Sequence, residues 1–377
     1  VRQAVVLAAV FEALGAMFAS GEVTNMIRFG IVDIAWFQQQ PMLFVVGMLA
    51  ALLSASTWLI IATCYGLPVS TTHTIVGAVL GFGLASIGPW RIAWTHLLEI
   101  TSSWLLSPLI AIVMAFFVYR FIEAKVFNAP NAFTAASRFI PLCAALVGMF
   151  FTQITLVVGL PTLGVQLSPW VLYITVMFVG ILLYGVSYWQ IVQQIDIAKT
   201  QQLIQEQVVE NMFNSLAISS AATMAFAHGA NDVANAIGPV AAIITVLEQQ
   251  SIQGRADIIP FWLLQMGAAG VVLGLVTYGY RIMETVGSKI TQLTPSRGFA
   301  AQFSTSVIII SASALGMPVS TTQIMVGSIL GIGLARGLMA LNLSTIRSIF
   351  ISWSITIPAG ILFSIAYFYL LKAIWGI

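Results

Sequence analysis

The chain has 377 residues, of which 59% are hydrophobic and only 7% charged, against roughly 25% charged in a soluble domain. Its 14 basic and 12 acidic side chains, net +2, cannot coat a water-facing body of this size, and no basic run offers a footprint for nucleic acid. Long continuous apolar runs, rather than short alternating ones, argue against a membrane β-barrel and for helical spans. The reading is an all-α polytopic membrane protein, a multi-pass resident of the cell membrane whose first partner is the lipid bilayer.

A span needs about 20 mainly apolar residues. In chain order the stretches that qualify, wholly or nearly, are Ala4–Ser20, Met42–Cys64, Trp94–Tyr119, Phe139–Val158, Trp170–Trp189, Met212–Ala227, Phe261–Tyr280, Phe303–Leu315 and Ile349–Leu371. Two further apolar segments, Val69–Ala85 and Val319–Ala335, are short, Gly-rich and follow a proline. They read as re-entrant or half-helices, which polytopic proteins tolerate where the backbone is buried in protein. Trp90, Trp94, Trp170, Trp189, Trp262 and Trp375 fall near segment ends, where interfacial aromatics belong. Cys64 and Cys143 suit neither a metal pattern nor a disulfide framework and are expected as buried free thiols. Basic residues are spread too evenly among the loops to fix an orientation.

Gln190–Asn211 is the one long polar stretch and reads as a linker between halves. The expected organisation is a first repeat over 1–119, connecting spans and the polar linker over 120–211, and a second repeat over 212–377.

An internal repeat is the strongest signal. PVSTTHTIVGAVLGFGLA from Pro68 and PVSTTQIMVGSILGIGLA from Pro318 match at 12 of 18 positions, at a constant offset of 250 (318 − 68). Upstream, Ser54, Ser56, Ala62 and Gly66 fall on Ser304, Ser306, Ala312 and Gly316 without a gap. Downstream, Ser103-Trp104 with Pro108 matches Ser352-Trp353 with Pro358, and Val23–Ile27 is similar to Ile282–Val286, which pairs Asn25 with Glu284. Two copies of one unit, inverted relative to each other, are a common transporter plan. The glycine pairs Gly77/Gly81 and Gly327/Gly331 are four apart and read as helix-packing faces.

The Ser-Thr-Thr triplets carry chemistry. Pro68 and Pro318 are suited to open a helix at its first position, which would put Ser70, Thr71, Thr72 and Ser320, Thr321, Thr322 in the first turn. A helix start with three hydroxyl donors binds an anion without Arg or Lys, and two such starts facing each other would surround one tetrahedral oxyanion. A second cluster, His228-Gly229-Ala230-Asn231-Asp232-Val233-Ala234-Asn235, interrupts an apolar region. Asp232 is a functional candidate because an ionisable group in a span is expensive. With the amides of Asn231 and Asn235, and backbone carbonyls freed near Gly229, it would form an oxygen cage for a hard monovalent cation rather than a transition metal. Glu12, Glu99 and Glu284 are candidate intramembrane acids, Glu284 leading because it lies in the repeat. His228 suits capping or packing at least as well as proton transfer. A phosphatase-like enzyme is disfavoured because no nucleophile–base–acid set recurs; a receptor or scaffold would leave Asp232 and both triplets unexplained.

These residues resemble the inorganic phosphate transporter (PiT) family: GANDVANAIGP at 229–239, PVSTTHTIVGAVLG at 68–81, PVSTTQIMVGSILG at 318–331, METVG at 283–287 and LTPSRGFAA at 293–301. The resemblance covers essentially the whole chain. It implies cation-coupled uptake of inorganic phosphate, an inverted repeat and a homodimer, with no cofactor other than Na+ as coupling ion, H+ being the other option. It further implies substrate contacts at both triplets and sodium contacts at Asp232, Asn231 and Asn235, with Glu284 and Asn25 on the cation path. Sulfate or another tetrahedral oxyanion, coupled to H+, is the alternative; a carboxylate beside the triplets would favour phosphate, which still carries protons and wants an acceptor. Two departures stand out. Such proteins carry GANDVAN twice and this sequence once: Asn235 precedes Pro318 by 83, and 68 − 83 falls at −15, before Val1, so a preceding helix is expected in the native protein. Asn25 stands where relatives carry an acid matching Glu284.

Overall fold

The computed structural model describes residues 2–159, 167–201, 205–249, 259–279, 293–337 and 343–377. Among these residues the chain is helical throughout, with an isolated bridge between Val32 and Ile92 in place of any strand. The first helix, α1 (Arg2–Phe18), breaks and resumes at 65° as α2 (Gly21–Phe29). At the break Ser20 turns its hydroxyl back onto Ala16 O at 2.7 Å instead of capping α2, the local competition by which serine interrupts a helix. Then come α3 (Pro41–Cys64), α4 (Thr71–Ile87), α5 (Trp94–Ile122), α6 (Ala132–Ile154), α7 (Pro169–Gln201), α8 (Gln205–Met212), α9 (Asn214–Gln249), α10 (Phe261–Gly274), α11 (Pro295–Ala314), α12 (Thr321–Arg336) and α13 (Leu343–Trp375). Among the described residues six helices are long and apolar enough to cross a membrane, and a seventh if α1 and α2 form one broken span.

The two half-helices form as expected, with 17 residues in α4 and 16 in α12. Within the polar stretch Gln190–Asn211, on either side of residues 202–204, which lie outside the described residues, the chain is helical: α7 runs into it as far as Gln201 and α8 begins at Gln205. Its Gln and Glu residues are good helix formers, so polarity alone misreads it. Glu210 from α8 caps α11, its carboxylate accepting from Ser296 N at 3.0 Å, Ser296 Oγ at 2.8 Å and Thr294 Oγ1 at 2.9 Å. α9 also departs from expectation. It runs unbroken through Gly229 to Gln249, so no carbonyl is freed there. Gly229 instead lets α1 approach so closely that a Cβ would collide with Glu12 O. The cysteines are less enclosed than expected, Cys64 being exposed and Cys143 half-buried, neither in a disulfide. The six interfacial tryptophans are all exposed, consistent with a lipid-facing belt.

The repeats exchange partners. α4 of the first packs on α13 of the second, where Cβ atoms at Gly77 and Gly81 would lie 2.9 and 2.6 Å from Ile357 O and Ile361 O. α12 packs on α5 of the first, Gly327 and Gly331 abutting Pro108 O and Ile112 O. Without side chains at these four points the backbones meet, the means by which membrane helices gain dispersion contact where lipid is as apolar as they are. This reciprocity brings the two half-helix starts together.

Candidate substrate and ion site

Each half-helix begins one residue after its serine. Ser70 is the N-cap of α4, its Oγ accepting from His73 N at 3.2 Å, and Ser320 caps α12 by accepting from Gln323 N at 3.3 Å. The prolines therefore stand before the caps rather than at the first helical position. Pro68 and Val69 lie outside the helix, and the serine takes the capping role because its oxygen satisfies a backbone donor that proline cannot. Thr71 and Thr321 are the first helical residues. Their hydroxyls converge from the two repeats on a single oxygen, Asp232 Oδ2, each donating at 3.0 Å. His228 Nε2, one turn back on α9, lies 2.9 Å from the same oxygen, and its Nδ1 lies 3.1 Å from Glu12 Oε1 on α1. The imidazole thus lies between two carboxylates.

The second threonines are engaged differently. Thr72 Oγ1 donates to Val319 O at 2.9 Å and Thr322 Oγ1 to Val69 O at 3.3 Å. Each ties the other repeat's entry segment, whose carbonyls have no helical donor. Asn235 Nδ2 donates to Thr71 Oγ1 and Thr72 Oγ1, both at 3.2 Å. Asn231 Nδ2 faces the opposite way, donating to Ser313 Oγ at 3.0 Å and Met317 O at 3.2 Å. α9 therefore stitches the first repeat with one amide and the second with another.

What the donors leave over is a set of oxygens. Asn231 Oδ1, Asp232 Oδ1, Asn235 Oδ1 and Asn25 Oδ1 are buried acceptors with no hydrogen-bond donor. A buried acceptor without a donor costs about 1–3 kcal/mol, so each of the four is a candidate oxygen ligand for a hard cation.

Of the expected site residues, the structure gathers Thr71, Thr72, Thr321, Thr322, Asn231, Asp232 and Asn235, with Ser70 and Ser320 as caps behind them. Asn25 is half-buried on α2, and Glu284 with the rest of 283–287 lies outside the described residues. Glu99 is exposed beside His96, 3.2 Å away, remote from this chemistry. Sequence reasoning ranked Glu12 below Glu284 and left His228 undecided; their signals were an acid and an imidazole in apolar surroundings, and only the α1–α9 contact makes them partners.

A polar, carboxylate-centred cluster thus lies among apolar helices, six of them long enough among the described residues to cross a membrane. The sequence pattern of the phosphate transporter family matches residues 1–364, and the chain belongs to that family. A protein of Haemophilus influenzae that carries a phosphate-permease name is 38% identical over 100% of this chain and 89% of its own. The inorganic phosphate transporter 2-1, chloroplastic, of Arabidopsis thaliana is 37% identical over 97% of this chain and 65% of its own. A solved structure described as the sodium-dependent phosphate transporter aligns with a TM-score of 0.87 at 37% identity, covering 99% of this chain and 90% of that one. The chain is thus a multi-pass phosphate transporter of the cell membrane and not an enzyme.

Proposed function

We propose that this protein is a secondary active symporter that moves inorganic phosphate with a cation, sodium by preference. The observation that carries the reading is the convergence of Thr71 and Thr321 on Asp232. Turned from Asp232 onto a bound anion, the single O–H of each threonine at a helix start suits any oxyanion. The carboxylate between them is an acceptor, which a protonated phosphate satisfies with its own O–H and a sulfate repels. Phosphate is therefore favoured over sulfate.

Phosphate beside Asp232 is tolerable only with compensating positive charge, because desolvated like charges repel strongly. The donor-free oxygens of Asn231, Asp232, Asn235 and Asn25 would hold sodium as the co-transported ion, with Glu284 on the same path by its match to Asn25. Sodium bound there lowers the cost of the anion, and phosphate in turn raises the affinity for sodium, which is reciprocal coupling. Ser70 and Ser320 position the clamp as caps, while Thr72 and Thr322 hold the two entry segments together. The exchange of contacts between repeats supports a pseudo-two-fold relation between them; an inverted arrangement and a homodimer belong to the same proposal.

The test is uptake of labelled phosphate into proteoliposomes with and without an inward sodium gradient, with excess sulfate as competitor. Gradient-driven uptake that sulfate leaves intact is expected. Uptake that follows a proton gradient alone, or that sulfate abolishes at equal concentration, would overturn the assignment.

A further inference from the structure

Two tryptophans of the repeat are unlike the others. Trp104 on α5 and Trp353 on α13 are buried, 6% and 7% exposed, far from the interfacial belt. Trp104 Nε1 donates to Pro318 O at 3.0 Å, and Trp353 Nε1 donates to Pro68 O at 3.1 Å. Each indole thus reaches across to the proline that opens the other repeat's half-helix. With the Thr72–Val319 and Thr322–Val69 bonds, both carbonyls of each Pro-Val entry segment are held by the opposite repeat. Trp104 is braced from behind by His73, ring centroids 4.0 Å apart, and Trp353 by Phe350 at 4.9 Å.

These four carbonyls lead directly into Ser70-Thr71 and Ser320-Thr321. Where the indoles hold Pro68 and Pro318 relative to each other, they also hold the hydroxyls of Thr71 and Thr321, three residues on. We propose that Trp104 and Trp353 are positioning residues for the substrate clamp: they set the spacing between its two hydroxyl donors and so its affinity for phosphate. The inference rests on phosphate occupying the Thr71–Thr321–Asp232 clamp. An indole suits the task because it is large, rigid and carries one N–H at a fixed place. Misplacing a binding group by about 1 Å costs on the order of 100-fold, so loosening one side of the clamp by a few tenths of an ångström is enough to read. The reciprocal geometry makes a sharper demand: the two indoles should matter equally although they lie in different repeats.

Trp104→Phe and Trp353→Phe keep most of the apolar area and remove the N–H. In proteoliposomes each is expected to raise the KM for phosphate about tenfold while leaving Vmax within about twofold and the protein's melting temperature in detergent nearly unchanged. Replacement of the same residues with benzothienylalanine, which keeps the bicyclic shape without the N–H, should give the same KM change if phenylalanine disturbs folding. Thr71→Val and Thr321→Val are measured alongside. If the threonine variants raise KM and neither form of tryptophan replacement does, the positioning role is wrong while the clamp stands. If the threonine variants leave KM unchanged, the clamp is wrong and the positioning role falls with it. A fall in Vmax with KM unchanged in the tryptophan variants would also overturn the proposal.

Discussion

The starts of α4 and α12 share a pentapeptide and share almost every contact, yet they are not equivalent. Serine cap, threonine on Asp232, threonine on the opposite valine carbonyl and indole on the proline carbonyl occur in both, at distances that agree within 0.4 Å (2.9 against 3.3 Å at the widest). The difference comes from α9, which has no counterpart among the described residues. Its Asn235 bonds the threonines of the first repeat, its Asn231 bonds the α11 end of the second, and its Asp232 serves both. Among the described residues, the two repeats supply the paired neutral donors and α9 supplies the charge. His73 against Gln323 is the other asymmetry, and a neutral amide in the matching place shows that the clamp geometry does not require imidazole.

The largest break comes from removing the shared charge. Asp232→Asn keeps the shape but ends the two charge-assisted hydroxyl bonds, each worth about 1.5–3 kcal/mol, and weakens the oxygen set. Sodium-driven uptake should fall by at least about 100-fold while the protein still elutes as a folded species in detergent. Retained sodium stimulation would show that the charge is not central.

Next are the packing faces that make the exchange possible. Gly331→Ala places a methyl into Ile112 O, whereas Gly81→Ala places one 2.6 Å from Ile361 O. Both overpack a backbone contact, at about 1–3 kcal/mol each, and Gly331→Ala should lower the melting temperature more. Equal, negligible shifts would mean that the helices separate freely and that the repeats are not locked by these faces.

The clamp itself gives a smaller and more diagnostic effect. Thr71→Val and Thr321→Val should each raise the KM for phosphate about tenfold, close to the low end of the roughly 1.5–3 kcal/mol for a hydrogen bond to charge, and should agree within about threefold. A tenfold disparity would show that one repeat dominates binding. Smallest is the coupling through Asn235. A double-mutant cycle of Asn235→Ala with Thr71→Val should show about 0.5–1 kcal/mol of interaction, and with Thr321→Val close to none. Equal coupling to both would remove the asymmetry assigned to α9.

Most of the spans and both half-helices were legible in the sequence because each is a local property of covalent order. Apolar length marks a membrane helix, a repeated pentapeptide marks a repeated unit, and an acid among apolar residues marks a site whatever it touches. The helices that enter the polar linker, α7 to Gln201 and α8 from Gln205, were not foreseen because polarity was weighed above helix propensity, and the unbroken course of α9 because a glycine that permits close approach looks the same in sequence as one that breaks a helix. The division of labour within each triplet was not legible at all. Serine, first threonine and second threonine are adjacent and chemically alike, but one caps its own helix, one meets a carboxylate and one meets a carbonyl of the other repeat. Those partners lie 3, 161 and 247 positions away for Ser70, Thr71 and Thr72. A hydroxyl's role is fixed by where its O–H points once the helices cross, and only tertiary packing brings together groups so far apart in the chain.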